Sequence, residues 1–178
     1  FICSGVLAHN CCGWNYGKLL RMGLRTPSMV SKPAKHFDTA VSQLVSFFCT
    51  AAQEWTGAEA ISAFDLYVAP FVRSDGIGFR EVKQAIQRML FDLNYPTRIG
   101  FQSAFTNVTI LLDTSPGFLE QEAIVNGRSY GKLGDYVEEA QLVTRAFFEL
   151  LLEGDALSQP FTFPIPTLMV TERFDWSG

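Results

Sequence analysis

The sequence predicts an α/β domain. Three observations predict it. Four long stretches carry apolar residues at three- and four-residue steps, the period of a helix with one buried face. Two segments, 98–113 and 161–171, drop that period and are rich in Phe, Ile, Val and Thr, as strands are. The chain has 178 residues, of which 48% are hydrophobic and 18% charged, enough to bury a core as one domain or a large part of one.

The first helix is expected within 31–55, with Ser31 as a cap and Pro33 in the first turn. Phe37, Ala40, Val41, Leu44, Val45, Phe48 and Ala52 form its stripe, which Phe47 and Ala51 widen. So broad a stripe is buried on two sides or faces a partner chain. Cys49 lies in it as a core residue, and His36 near its start reads as a polar surface residue. A second helix is expected over "GAEAISAFDLYVA" from Ala58, Ile61, Phe64 and Val68, ending near Pro70. "FVRSDGIGF" then reads as a loop. A third helix follows in "FREVKQAIQRMLFDLNY", with Val82, Ala85, Ile86, Met89, Leu90 and Leu93 inward and Pro96 as its stop.

The segment 98–113 is strand-like, and Val108 to Leu112 is nearly continuously apolar, as in a strand covered on both faces. Gln102, Ser103, Thr106 and Asn107 sit in this run. Beside a buried strand each needs a partner or costs about 1–3 kcal/mol. Either they bond to neighbouring backbone, or they line a polar cavity at the strand's end. Asn126-Gly127 signals a hairpin. Gly127 with "GK" at 131–132 does not make a phosphate loop. The spacing is one residue short, and Leu133 stands where a magnesium-binding hydroxyl is needed. A fourth helix runs through "YVEEAQLVTRAFFELLLEGDA", closed by Gly154. "PFTFPIPTLMVT" is again a strand, made irregular at its start by Pro164 and Pro166.

Lys plus Arg is 14 and Asp plus Glu is 18, a net charge of −4 without a basic tract, so no nucleic-acid footprint is expected. No apolar run is long enough for a membrane helix. The start lacks the basic region of a signal peptide and an initiator Met, so the chain reads as an excerpt of a longer cytoplasmic protein. Cys3, Cys11, Cys12 and Cys49 are too sparse for a disulfide framework. His9 and Cys11 could supply two metal ligands, but no second pair is evident, and no metal site is expected. The adjacent Cys11 and Cys12 are either inert packing residues or one of them does chemistry.

Five segments then carry a resemblance. "KPAKHFDTA", "QEWTGAEA", "FDLYVAPFVR", "NYPTRIGFQSAFTN" and "FTFPIPT" resemble, in order and spacing, anaerobic (class III) ribonucleoside-triphosphate reductases. The resemblance implies part of a ten-stranded α/β barrel of the glycyl-radical type. Residues 1–178 would be one fragment of the catalytic barrel. Residues 31–96 would be helical, at a dimer interface and effector region, with barrel strands at 98–113 and 161–171. "LAHNCCGW" resembles the family segment after the first barrel strand, and the match falls on Cys11. It would then be the thiol that donates hydrogen as the ribose 2′-hydroxyl leaves. Cys12 would only pack. Gln102, Ser103, Thr106 and Asn107 would be substrate-pocket residues.

The family further implies a glycyl radical, nucleotide effectors and a C-terminal zinc site, none of them expected within this chain. Its partners would be ribonucleoside triphosphates, dNTP and ATP effectors, a radical-SAM iron-sulfur activating protein, formate or a thioredoxin-type reductant, and a second copy as a homodimer. No Arg-x-x-Gly-Tyr segment of the radical-bearing kind occurs, so this fragment alone should not turn over. Two other readings are another glycyl-radical enzyme of pyruvate formate-lyase type, where an adjacent cysteine pair carries the radical, and an inert dimerisation or nucleotide-binding module.

Overall fold

The computed structural model describes residues 10–97, 100–113, 116–172 and 174–177. Four short strands form a parallel sheet: β1 (Cys12–Trp14), β2 (Glu59–Ile61), β3 (Thr106–Leu111) and, last in the chain, β6 (Ile165–Met169). Their order in the sheet is their order in sequence. Helices fill the crossovers, as parallel neighbours require. They are α1 (Tyr16–Met22), α2 (Phe37–Glu54), α3 (Phe64–Asp75), α4 (Phe79–Asn94), the single turn α5 (Pro116–Leu119) and α6 (Val137–Glu153). A hairpin of β4 (Glu122–Val125) and β5 (Arg128–Lys132) stands apart from the sheet.

The long helices pack on one another and bury one face of the sheet. Phe37, Leu44, Phe48, Phe64, Phe71, Ile86, Leu90, Val108, Ile110 and Phe147 are all at most 1% exposed in one continuous core. The broad stripe of α2 is used up inside the chain, against α3, α4 and β2. Its outward residues Asp38, Ser42 and Ser46 are polar.

Several expectations need correction. Helix α2 begins at Phe37, not in the 31–33 region. The Asp75 carboxylate, at the end of α3, accepts the Phe37 N–H at 2.7 Å and so caps α2 from a distant element. Ser31 instead accepts from the buried Gln43 amide at 2.7 Å. Glu59–Ile61 is a strand, not the start of a helix. Three residues bonded on both sides by β1 and β3 leave no local period to detect. Helix α3 runs through Pro70 to Asp75, taking in part of the expected loop, because its length is buried nearly all round. Residues 100–105 carry no strand, and β3 starts at Thr106. Among the described residues, helices cover it on one face only. Helices α4 and α6 lie where the periodicity predicts them, and α6 ends at Gly154 with a φ of 71°. Asn126 and Gly127 both take positive φ, 53° and 72°, the pair that a tight hairpin turn demands.

The start of β6 is held by one side chain. The Asn94 amide nitrogen donates to the Leu90 and Phe163 carbonyls, both at 2.6 Å. Its oxygen accepts from the Thr162 and Phe163 N–H groups at 2.9 and 3.1 Å. Asn94→Ala is expected to cost about 2–3 kcal/mol, because several half-buried backbone groups lose their partner together. Urea unfolding checks it; a loss below half a kcal/mol would show that water replaces the amide.

Candidate functional site

Side chains alternate along a strand, so each row of paired residues faces one side of the sheet. Cys12, Glu59 and Thr106 form one row, and Trp14, Ile61 and Val108 the next on the same face, under the helices. Gly13, Ala60, Asn107 and Ile165 form the row on the opposite face, which the described residues leave uncovered. Cys11 lies two residues before Gly13, just outside β1, and its thiol is exposed and free.

The backbone around Cys11 is tightly tied to the start of β2. Gly57 N–H donates to the Asn10 carbonyl at 3.0 Å, and Cys12 N–H to the Ala58 carbonyl at 2.9 Å. The Ala58 N–H donates to the Cys11 sulfur at 3.4 Å. Gly57 allows this approach: a Cβ there would come within 2.3 Å of the Asn10 side-chain oxygen and 2.6 Å of its carbonyl carbon. On the covered face, the Trp14 indole N–H donates to the fully buried Glu59 carboxylate. The Trp14 ring meets Phe47 of α2 and Trp55 edge-on at 5.3 and 5.5 Å. Strand β1 is therefore pinned on its helix-covered face, and the exposed Cys11 thiol lies just before it.

The predicted residues divide. Asn107 stands on the uncovered face, its amide paired with the Thr167 hydroxyl of β6 at 2.9 Å. Thr106 is fully buried on the helix-covered face, away from Cys11, because adjacent strand residues point to opposite sides. Its hydroxyl has no hydrogen-bond partner among the described residues. Gln102 is exposed before β3, where its carbonyl accepts the Thr97 N–H at 3.0 Å. Ser103 is half-buried beside it. Neither shares the row of Asn107. Thr167 went unnoticed in the sequence, since only the pairing of β3 with β6 brings it to Asn107. The alternation Ile165, Thr167, Met169 was the available signal. Cys12 is half-buried and faces the helices. Burial and the Asp92 carboxylate push the Cys49 thiol up, which keeps it protonated. His36 is exposed, 2.9 Å from Asp75. Cys3 and His9 lie outside the described residues. Among those described, no three His, Cys, Asp or Glu side chains converge as metal ligands. No helix among them is long and apolar enough to cross a membrane.

Sheet and helices define a one-sided α/β layer, with helices on one face of a parallel sheet among the described residues. That layer is the fold of solved anaerobic ribonucleotide reductases. The Thermotoga maritima enzyme in complex with dATP and CTP matches at 26% identity and a TM-score of 0.74, over 91% of this chain and 28% of that one. The same enzyme with dATP bound in the specificity site matches at 26% and 0.74, over the same shares of the two chains. Another anaerobic ribonucleotide reductase matches at 27% and 0.73, over 91% of this chain and 26% of that one. A search of the curated proteins gives no match. The chain belongs to the anaerobic ribonucleoside-triphosphate reductase family, whose profile matches residues 3–178. It spans little more than a quarter of the length of the solved reductases it matches.

Proposed function

We propose that this chain is a sector of the catalytic barrel of an enzyme that reduces ribonucleoside triphosphates to deoxyribonucleoside triphosphates without oxygen. The observation that carries the reading is a free, exposed thiol at the start of a reductase-family sheet, two residues before the row that holds Asn107. The four parallel strands are then part of a ten-stranded barrel, and their uncovered face is its inside. Cys11 gives a hydrogen to C2′ as the 2′-hydroxyl leaves as water. Formate or a thioredoxin-type protein supplies both reducing equivalents overall, one restoring the Cys11 thiol and the other completing reduction of the sugar. Asn107 and Thr167 offer an amide and a hydroxyl to the sugar hydroxyls. Gln102 and Ser103, before β3, contact the substrate further out. Thr106 supports β3 from behind.

The glycyl radical, held elsewhere in the enzyme and installed by an iron-sulfur activating protein, initiates the reaction. The outward surface of residues 31–96 meets the second copy of a homodimer and nucleotide effectors. The dATP complex of the Thermotoga maritima relative supports effector binding. A cleft of about 400 Å³ between residues 24–32 and α2, lined by Thr26, Ser28, Lys32 and Ser42, offers polar groups for it.

The test uses the full-length protein that carries this chain, activated anaerobically, with the radical followed by electron paramagnetic resonance. Conversion of a ribonucleoside triphosphate to its deoxy form is the expected result. A full radical signal with no deoxynucleotide would overturn the reading.

A further inference from the structure

Gly13 has no reason to be glycine that the fold supplies. It is the middle residue of β1, and its φ lies outside the left-handed region. A Cβ built there meets no described atom within 4 Å. Glycine inside a strand forfeits side-chain packing and backbone rigidity, and it marks places where a ligand or another backbone comes close. The row continues with Ala60, whose methyl is the smallest side chain after glycine's hydrogen, and then with the Asn107 amide. Gly13 and Ala60 therefore form a bare strip two residues wide beside the Asn107–Thr167 pair, and Cys11 lies two residues before Gly13 in the chain. Two strand spacings make that strip about 10 Å across, which admits a sugar ring and its hydroxyls.

We propose that Gly13 and Ala60 set substrate acceptance by keeping clear the space beside Asn107 that the ribose of the nucleotide occupies. The proposal rests on the reductase reading above. Neither residue makes a polar contact with the sugar in this account. Each acts by having no bulk, so a larger side chain excludes the ring sterically while leaving the strand intact.

The experiment compares Gly13→Ala, Gly13→Val and Ala60→Leu with wild type, all in the activated full-length protein. Valine suits a strand, so the melting temperature and the glycyl-radical yield should hold or rise. The KM for the ribonucleoside triphosphate should rise about tenfold or more for Gly13→Val and Ala60→Leu, and less for Gly13→Ala. Wild-type KM and kcat in Gly13→Val would overturn the proposal. So would a lowered melting temperature, which would mean that the fold itself needs glycine. A fall in kcat with KM and nucleotide binding unchanged would also overturn it, because the space would then hold another segment of protein. Inactive wild type bearing a full radical is a different failure, that of the reductase reading.

Discussion

Cys11→Ala in the full-length protein should abolish deoxynucleotide formation and leave the glycyl radical in place. The expected loss is on the order of 10³-fold or more in rate, equivalent to about 4 kcal/mol of barrier. The reason is chemical. A methyl cannot give up the hydrogen that replaces the 2′-hydroxyl, and no side chain on the neighbouring row of Gly13, Ala60 and Asn107 can. The fold should barely notice the change. The thiol is exposed, and it accepts the Ala58 N–H, just before β2, at 3.4 Å. The backbone bonds that tie residues 10–12 to 57–58 do not involve the sulfur. Cys12→Ala is the matched control. Its side chain faces the helices, so product should form at close to the wild-type rate. Product from Cys11→Ala at the wild-type rate would make Cys11 a packing residue. Loss in both variants would point to a disturbed β1 rather than a missing thiol.

The second large effect concerns pH and stability. Asp65, in the first turn of α3, is 1% exposed. Its carboxylate accepts the N–H of Leu111, the last residue of β3, at 3.2 and 3.3 Å, and the Thr144 hydroxyl of α6 at 3.1 Å. One side chain thus joins three elements. Burial pushes its pKa from 3.8 up to about 6, although the hydrogen bonds from Leu111 and Thr144 pull the other way. Between those values the folded protein holds a proton that the unfolded chain has lost, so stability falls as pH rises. The contribution is complete below about pH 4 and gone above about pH 6, and it amounts to about 3 kcal/mol. Asp65→Asn keeps an acceptor for Leu111 but cannot titrate. In urea unfolding from pH 4 to pH 7, wild type should lose about 2.5 kcal/mol relative to Asp65→Asn. Parallel curves would mean that the carboxylate is already solvated in the fold. Asp65→Ala should be destabilised at every pH, by about 1–3 kcal/mol, because the Leu111 N–H is left buried without an acceptor.

Local pattern was a good guide wherever an element's neighbours repeat along the chain. Helices α4 and α6 announce themselves through apolar residues every three to four positions, since each buries one stripe. The Asn126-Gly127 turn is legible because few residue pairs tolerate two positive φ values in succession. The start of α2 was misread because its cap is Asp75, 38 positions away in sequence from the Phe37 N–H that it accepts. Strand β2 was misread because three residues carry no period of their own and become a strand only between β1 and β3.

The same division holds for the candidate site. Residue types and their resemblance to a family marked Cys11 and the 102–107 segment. They could not separate Thr106 from Asn107, because which of two adjacent strand residues faces the helices depends on register. Composition and periodicity determined an α/β chain with long, deeply buried helices, and the order of five short segments determined its family. The tertiary structure alone decided which face of the sheet is covered and that Thr167 stands beside Asn107. It alone showed Gly13 bare above that face. Pairing between strands dozens of residues apart sets those facts, and no local stretch of sequence contains both partners.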